Sequence, residues 1–270
     1  MRGIVVKGIV FLGGGRITTA LLSGMRLAKF GEPIIVHDRH ARKLQQLKRK
    51  YGVIVEEDLH RAVESAGLLI IAVRPDSVGG LLKEIGRHEI RQKLAAVSLA
   101  AGVPLSKLRA GVGTPVRWAR AMPSPVCRSG RGLTALTFSR EFSAAARVQV
   151  RNLFAMVGQV LEIPEKQFDA FTVTFSSSHG YHAVAGLIAA AERIGLDRKN
   201  ARLAAAHALA DGIMAWREGD VPLDELLEEA ATPGGTAAAV MAALDAAGYK
   251  KMLERGLRAG IRQAQKNARR

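Results

Sequence analysis

The chain has 270 residues, which is enough for one large domain or two of ordinary size. Its formal net charge is +16, but the basic residues are spread along the chain, only 5% of residues are aromatic, and no nucleic-acid-binding motif is present. These features argue against nucleic acid as a partner. No apolar stretch is long enough to cross a bilayer. The single cysteine, Cys127, cannot form an internal disulfide, which favours a cytoplasmic protein.

The first motif is a glycine-rich turn between a predicted strand and a predicted helix. The apolar run at residues 4–12 is interpreted as the first strand rather than a signal peptide, and a helical pattern follows from Ala20. Glycines here would let a pyrophosphate approach the backbone, and the helix N-terminus would attract it. Thr18 stands where the strict Gly-x-Gly-x-x-Gly pattern has its third glycine, and a tight turn without a ligand is the alternative. The cofactor-binding residues predicted in this turn are Gly13, Gly14, Gly15, Arg16 and Ile17.

The end of the second predicted strand carries signals for both nicotinamide dinucleotides. The strand covers residues 33–37 and ends at Asp38, where an acidic side chain can bind the ribose hydroxyls of NAD. Arg39 follows directly, and Arg42 and Lys43 are close behind. Such a basic cluster can hold the 2′-phosphate of NADP, although Arg42 and Lys43 could equally be a solvated helix start. The sequence therefore favours NADP(H), with NAD(H) as the alternative.

Strands and helices alternate along residues 1–163. Further strands are expected at 53–55, 68–73, 94–99, 133–138 and 158–163, and helices at 41–50, 58–63, 78–85, 105–108 and 141–156. This alternation predicts an α/β Rossmann domain with a doubly wound parallel sheet. Ligands bind at the C-terminal ends of parallel strands. We therefore expect the cofactor to be bordered by Val73, Arg74, Pro75 and Ala100.

The pattern changes after Pro164. The sequence becomes rich in alanine and lacks strand runs. Helical patterns cover residues 168–194, 199–218, 223–230, 236–246 and 250–268. Small residues such as Ala183, Gly186 and Ala190 would let helices approach closely. This composition predicts a helical domain at residues 164–270 that packs against a second copy of the chain, giving a homodimer.

Five short blocks lie in order along nearly the whole chain and together resemble the pyrroline-5-carboxylate reductase family. They are FLGGG, AVRP, VSLAAGV, RAMP and TPGGT, at residues 11–15, 72–75, 97–103, 120–123 and 232–236. The resemblance implies a Rossmann domain, a C-terminal helical dimerisation domain, and reduction of a cyclic imine carboxylate with NAD(P)H, with proline formation as the default. It also implies an active site between the cofactor domain of one subunit and helices of the dimer.

The stretches that would face the substrate depart from the family pattern. The family's Ser-Gly-Ser-Gly-Pro-Ala-Tyr corresponds to residues 175–181, which match it only at Ser177 and Tyr181. The family's Met-Pro-Asn-Thr-Pro corresponds to MPSPV at residues 122–126, and Ala237 replaces a frequent hydroxyl residue. The cofactor-side blocks are thus kept while the substrate-side blocks are altered, which suggests a relative with a changed substrate.

Hydroxyl groups that precede two predicted helices are candidates for binding a substrate carboxylate. Serines at residues 176–178 lie where the long helix begins, and Thr232 and Thr236 flank Pro-Gly-Gly before another helix. Helix N-termini and hydroxyls together suit a carboxylate, although capping is an alternative use of the serines. His179 could donate a proton near neutral pH or be merely structural. The catalytic residues predicted are Ser177, His179, Tyr181, Thr232 and Thr236.

Two other functions remain as alternatives. A β-hydroxyacid dehydrogenase would share both domain types, but such enzymes typically carry a catalytic lysine on the long helix, and residues 175–191 contain none. A regulatory protein could keep the dinucleotide site and lose the chemistry. No spacing of cysteine, histidine or carboxylate residues suggests a bound metal.

Overall fold

A computed structural model of the chain describes residues 7–87, 90, 93–113 and 115–269. The strands are β1 (Gly8–Leu12), β2 (Ile34–His37), β3 (Ile54–Val55), β4 (Ala66–Ile71), β5 (Leu94–Ser98), β6 (Val116–Pro123), β7 (Gly132–Phe138) and β8 (Gly158–Glu162). The helices are α1 (Arg16–Leu27), α2 (Ala41–Tyr51), α3 (Leu59–Glu64), α4 (Pro75–Gly86), α5 (Leu105–Val112), α6 (Ala144–Ala155), α7 (Glu165–Thr174), α8 (Ser178–Arg193), α9 (Arg198–Glu218), α10 (Leu223–Ala230), α11 (Thr236–Ala246) and α12 (Tyr249–Arg269). A 3-10 helix covers Pro125–Ser129. Residues 4–6 of the predicted first strand lie outside the described residues.

The strands form one sheet in the order β3-β2-β1-β4-β5-β6-β7-β8. The chain runs from β1 to one edge and then returns to β4 on the other side of β1, which is the topology of a doubly wound α/β domain. Every pairing from β3 to β6 is parallel. The predicted Rossmann-type fold is therefore confirmed.

The far edge of the sheet differs from the all-parallel arrangement that the sequence predicts. Strands β6 and β7 are antiparallel, and β8 pairs in parallel with β7. Only residues 124–131 connect β6 to β7, whereas a parallel crossover needs roughly a dozen residues or more. The chain therefore reverses through the 3-10 helix, and the last two strands run against the other six.

The central strands are buried on both faces. Phe11 and Ile70 belong to the core on one face of the sheet, and Val10 and Leu69 belong to the core on the other. All four are at most 1% exposed. Burying each such aliphatic or aromatic side chain contributes about 1.5–3 kcal/mol. This burial explains why β1 and β4 are continuous apolar runs rather than alternating ones.

Contacts divide the chain into two units that differ from the predicted domains 1–163 and 164–270. One unit comprises the residues up to Phe175 together with those from Ala259 onward, and the other is Ser176–Arg258. Helix α7 and the last turns of α12 thus belong with the sheet. The single helical pattern predicted at residues 168–194 is also interrupted, since α7 and α8 are separate helices.

Buried ion pairs explain why α7 belongs with the sheet. Arg120 on β6 is 1% exposed, and its terminal nitrogens donate to Glu165, at 3.0 Å, and to Asp169. The Phe168 ring centre lies 4.2 Å from the guanidinium carbon of Arg120. Glu165 also accepts the backbone N–H of Leu105, at 3.0 Å. These contacts join α7 to β6 and α5.

The end of α12 packs on the loop that follows β5. Lys107, at the start of α5, donates to the carbonyl oxygen of Ala268 at 2.8 Å, and the side-chain amide of Asn267 donates to the backbone carbonyl oxygen of Ala101 at 3.2 Å. A Cβ atom on Gly102 would lie only 2.4 Å from the carbonyl oxygen of Ala264. The last turns of α12 therefore support this loop from the same unit.

The second unit is helical and exposes many apolar side chains. Helices α8, α10 and α11 contain no buried residue, and α9 buries only Ala201 and Ala205. Its exposed large apolar residues include Leu187, Leu203, Ile213, Met214, Trp216 and Val240. Within the described ranges, none of the helices has the length and hydropathy needed to span a membrane.

Candidate functional site

Four parallel strands end side by side at one edge of the sheet. Leu12 on β1 is in register with His37 on β2 and with Ile71 on β4, and Ile71 is in register with Ser98 on β5. The strand order reverses between β1 and β4, where α/β proteins bind ligands. The structure brings to this edge the cofactor candidates Gly13, Gly14, Gly15, Arg16, Ile17, Asp38, Arg39, Val73, Arg74, Pro75 and Ala100.

The first two glycines shape the turn. Gly13 has a φ of +114°, and a Cβ atom there would lie 2.7 Å from the carbonyl oxygen of Ala72. Its N–H donates to the carbonyl of His37 at 2.7 Å. A Cβ atom on Gly14 would lie 2.9 Å from the Leu47 side chain. Packing and backbone conformation thus require glycine at Gly13, whereas a larger residue at Gly14 would have to displace the end of the Leu47 side chain.

Gly15 instead leaves open space for a ligand. A Cβ atom there would have one neighbour within 4 Å, the carbonyl oxygen of Ala72, at 4.0 Å. Gly15 is the N-cap of α1 and supplies no side-chain cap. The first N–H groups of a helix have no partner within the helix and carry its positive dipole end. This combination of space and donors fits a pyrophosphate group.

Thr18 explains how the motif tolerates the loss of its third glycine. The side chain is fully buried, and its hydroxyl donates to the carbonyl oxygen of Gly13 at 2.6 Å. The hydroxyl therefore holds the turn in place from within, and the additional side-chain atoms do not face the open space at Gly15.

Asp38 anchors the glycine turn to the end of β2. One carboxylate oxygen accepts the Gly14 N–H at 2.8 Å and the Lys43 ammonium at 3.3 Å. The other accepts the His40 N–H at 2.9 Å and lies 2.8 Å from the His40 ring nitrogen. Burial raises the pKa of Asp38, but the bonds from Gly14 and His40 and the charge of Lys43 outweigh it and lower the pKa to about 2. Asp38 therefore stays ionised and engaged with the turn at neutral pH.

Arg39 has the opposite character. It is exposed, and among the described residues it forms no hydrogen bond or ion pair. Arg42, the second residue of α2, is likewise exposed and unpaired within that part of the chain. The Asp38 carboxylate is directed at the glycine turn, whereas these guanidinium groups are available. The geometry therefore favours a phosphate bound by the arginines over ribose hydroxyls bound by Asp38.

The remaining cofactor candidates lie after β4 and β5. Val73 and Pro75 are half-buried, and Pro75 occupies the first turn of α4. Arg74 is the N-cap of α4, and its side chain is exposed. Ala100 is buried, and its N–H donates to the Ser98 hydroxyl at 3.3 Å. Each is positioned by the end of a buried strand.

Three of the catalytic candidates lie together at the start of α8, in the unit Ser176–Arg258. Ser177 is the N-cap residue but makes no side-chain capping bond, so the capping alternative is not realised at this residue. The hydroxyls of Ser176 and Ser178 lie 2.8 Å apart. His179 and Tyr181 are exposed within the first turn. The N–H groups of Ser178 and His179 donate to the hydroxyl and the carbonyl of Ser176, at 3.4 and 3.1 Å. The helix start therefore brings several polar side chains together.

Thr232 and Thr236 flank a second turn in the same unit. The carbonyl of Thr232 accepts the Gly235 N–H at 2.9 Å, and Gly234 has a φ of +76°. Gly235 is the N-cap of α11 and has no side chain, and Thr236 is the exposed first residue of that helix. In the portion of the chain that is described, no group of three or more His, Cys, Asp or Glu residues could hold a metal ion.

Comparison with known proteins covers both halves of the chain. The family described as "NADP oxidoreductase coenzyme F420-dependent" matches residues 8–102, and the family described as "Pyrroline-5-carboxylate reductase dimerisation" matches residues 165–267. The pyrroline-5-carboxylate reductase of Mycobacterium leprae is 31% identical, and the alignment covers 93% of this chain and 93% of that one. The chain belongs to the pyrroline-5-carboxylate reductase family.

Solved structures show the family fold. The pyrroline-5-carboxylate reductase of Streptococcus pyogenes aligns with a TM-score of 0.87 at 21% identity, over 97% of this chain and all of that one. The Plasmodium falciparum pyrroline carboxylate reductase, solved with NADP bound, aligns with a TM-score of 0.85 at 20% identity, over 98% of this chain and all of that one. These structures share the fold of this chain, and the sequence comparisons confirm the family resemblance drawn from the five sequence blocks.

The sequence patterns did not indicate Arg128, which lies beside the glycine turn. A cavity there is lined by Gly14, Gly15, Arg16, Thr19, Lys43 and Arg128. Arg128 belongs to the 3-10 helix between β6 and β7, more than a hundred residues after the turn. No local pattern indicates this position, because only tertiary packing brings the 3-10 helix to α1.

Proposed function

We propose that this chain reduces the C=N bond of a cyclic imine carboxylate with NADPH, as a pyrroline-5-carboxylate reductase. The observation that carries the proposal is the similarity to a reductase of that name over 93% of both chains. The glycine turn adds physical support, since the space at Gly15 and the uncapped start of α1 suit a dinucleotide. When bound, NADPH supplies the hydride.

The preference for NADPH is supported by the free guanidinium of Arg39. Replacement of Arg39 by alanine should weaken NADPH binding roughly 10- to 100-fold, because a charge-assisted hydrogen bond is worth about 1.5–3 kcal/mol. NADH binding should change little. Dissociation constants for both dinucleotides, measured by calorimetry, test this. Arg87→Ala, which removes an exposed arginine after α4, is the control. Equal losses of NADPH and NADH affinity would contradict the assignment.

The substrate carboxylate is assigned to the starts of α8 and α11. Ser177, Thr232 and Thr236 would hold it through their hydroxyls, beside the positive ends of the two helix dipoles, with the first N–H groups of α11 as further donors. His179 or Tyr181 would supply or orient the proton on the ring nitrogen. An imine that binds already protonated needs no strong acid, so positioning would provide most of the catalysis.

Replacing Thr236 with alanine tests the carboxylate assignment. We expect the Michaelis constant for the imine carboxylate to rise roughly tenfold, because a hydroxyl bond to a charged group is lost. The Michaelis constant for NADPH should not change. Ser65→Ala, which removes a hydroxyl bonded to the Arg61 carbonyl at 2.8 Å, is the control. Steady-state kinetics identical to those of the wild type would remove Thr236 from the site.

A homodimer formed through the C-terminal helices is part of the proposal. The exposed apolar side chains of α8, α9 and α11 support it, because apolar surface of this extent is usually covered in an assembly. We also place the protein in the cytoplasm. The single cysteine, Cys127, supports this location, since it is buried and free.

The test of the function is NADPH oxidation followed by absorbance. Pyrroline-5-carboxylate is offered first and the six-membered piperideine carboxylate second. Oxidation with the five-membered imine is the expected result. Oxidation with only the six-membered imine would mean that the altered stretch at residues 175–181 has shifted the substrate. Tight NADPH binding without oxidation by either imine would favour the regulatory alternative.

A further inference from the structure

Arg128 is held at a fixed place beside α1. Ser124 caps the 3-10 helix by accepting the Val126 N–H at 3.3 Å, and the Cys127 carbonyl accepts the Gly130 N–H at 3.0 Å. A Cβ atom on Gly24 of α1 would lie 2.2 Å from that same Cys127 carbonyl. The backbone of the residue before Arg128 is therefore packed closely against the helix whose N-terminus forms the glycine turn.

The guanidinium of Arg128 has donors to spare. Its Nε donates to the Pro125 carbonyl at 3.3 Å, which orients the side chain. Among the described residues, no carboxylate pairs with it. The residue is exposed. Both terminal nitrogens are thus available to an anion from outside the chain.

The cavity that Arg128 lines is strongly positive. Its volume is about 490 Å³, and its walls include the basic residues Arg16, Lys43 and Arg128 together with Gly14 and Gly15. Of the described residues that line it, none is acidic. Lys43 is engaged by Asp38, whereas Arg128 has no such counter-charge. A planar guanidinium beside uncapped backbone donors suits a phosphate group.

We propose that Arg128 binds a phosphate group of the dinucleotide and thereby acts as an additional cofactor-binding residue. The inference rests on the proposed function, since it needs a dinucleotide at the glycine turn. It assigns to the connection between β6 and β7 a role in the cofactor site, beyond its role of reversing the chain. The phosphate is either the diphosphate, which NADH and NADPH both carry, or the 2′-phosphate, which only NADPH carries.

The test measures dissociation constants of NADPH and NADH for the wild type, Arg128→Ala, Arg128→Lys and Arg131→Ala. Arg131→Ala is the matched control, because it removes the same charge from an exposed arginine three residues away that does not line the cavity. Arg128→Ala should weaken NADPH binding roughly tenfold or more. Arg128→Lys should weaken it less, because lysine keeps the positive charge but cannot make the paired hydrogen bonds of a guanidinium. The melting temperature should not change in any variant.

The affinities of Arg128→Ala for the two dinucleotides identify the phosphate that Arg128 contacts. Weaker binding of both dinucleotides to Arg128→Ala supports a contact with the diphosphate, and weaker binding of NADPH alone supports a contact with the 2′-phosphate. Affinities equal to those of Arg131→Ala would overturn the role of Arg128 while leaving the reductase function intact. A wild type that fails to bind either dinucleotide would instead overturn the function itself.

Discussion

Gly15→Val is expected to abolish dinucleotide binding while the protein stays folded. The valine would fill the space in which a pyrophosphate approaches the start of α1. Loss of two charge-assisted hydrogen bonds, worth about 1.5–3 kcal/mol each, weakens binding by roughly a hundredfold or more. The protein itself tolerates the side chain, because a Cβ atom meets only the Ala72 carbonyl, at 4.0 Å, and the φ of −79° is ordinary.

The control for this variant is Gly80→Val. Gly80 lies on α4, and a Cβ atom there meets no other atom within 4 Å. Both variants should melt near the wild-type temperature, and only Gly15→Val should lose NADPH, as followed by calorimetry. Wild-type NADPH affinity in a folded Gly15→Val protein would refute the phosphate-binding role of the turn.

Arg120→Ala is expected to give the largest loss of stability. The guanidinium is 2% exposed and pairs with Glu165 and Asp169, whose side chains are each 34% exposed. Removing one partner of a buried ion pair costs about 3–5 kcal/mol. Because both acidic side chains are about one-third exposed, we expect a loss near the lower end, about 3 kcal/mol. Urea unfolding followed by circular dichroism measures it.

An exposed ion pair of equal length provides the comparison. Arg109 lies 3.0 Å from Glu141, and the two side chains are 61% and 52% exposed. Arg109→Ala should cost less than about 1 kcal/mol, because surface pairs are weak. Similar small losses for Arg109→Ala and Arg120→Ala would show that the Arg120 cluster does not fasten α7 to the sheet.

Seven of the eight strands, all except β6, and the edge that holds the cofactor candidates were predictable because their signals are local. Apolar runs such as residues 68–73 give buried strands, and glycines mark the turn after β1. Parallel strands then bring their C-terminal ends together without further information. For this reason the sequence alone places Asp38, Arg39 and Ala100 at one edge.

Features that depend on long-range packing were not predictable. The reversal between β6 and β7 follows from a short connection, but the sequence does not show that these two strands pair with each other. The Arg120 cluster joins β6 to α7, and the last turns of α12 pack against Gly102. Neither contact leaves a local pattern in the sequence, so the predicted domain boundary at residues 163–164 could not take them into account. The direction of the Asp38 carboxylate also depends on where the glycine turn lies, so its engagement with Gly14 could not be foreseen.

The central claim is that hydride passes from NADPH to the carbon of the imine. It is tested most directly with NADPH deuterated at C4 of the nicotinamide, using pyrroline-5-carboxylate as substrate and mass spectrometry of the product. We expect one of the two C4 stereoisomers to deliver a single deuterium to the ring carbon that was doubly bonded to nitrogen in the imine. NADPH consumption without deuterium in the product from either stereoisomer would contradict the proposed reduction.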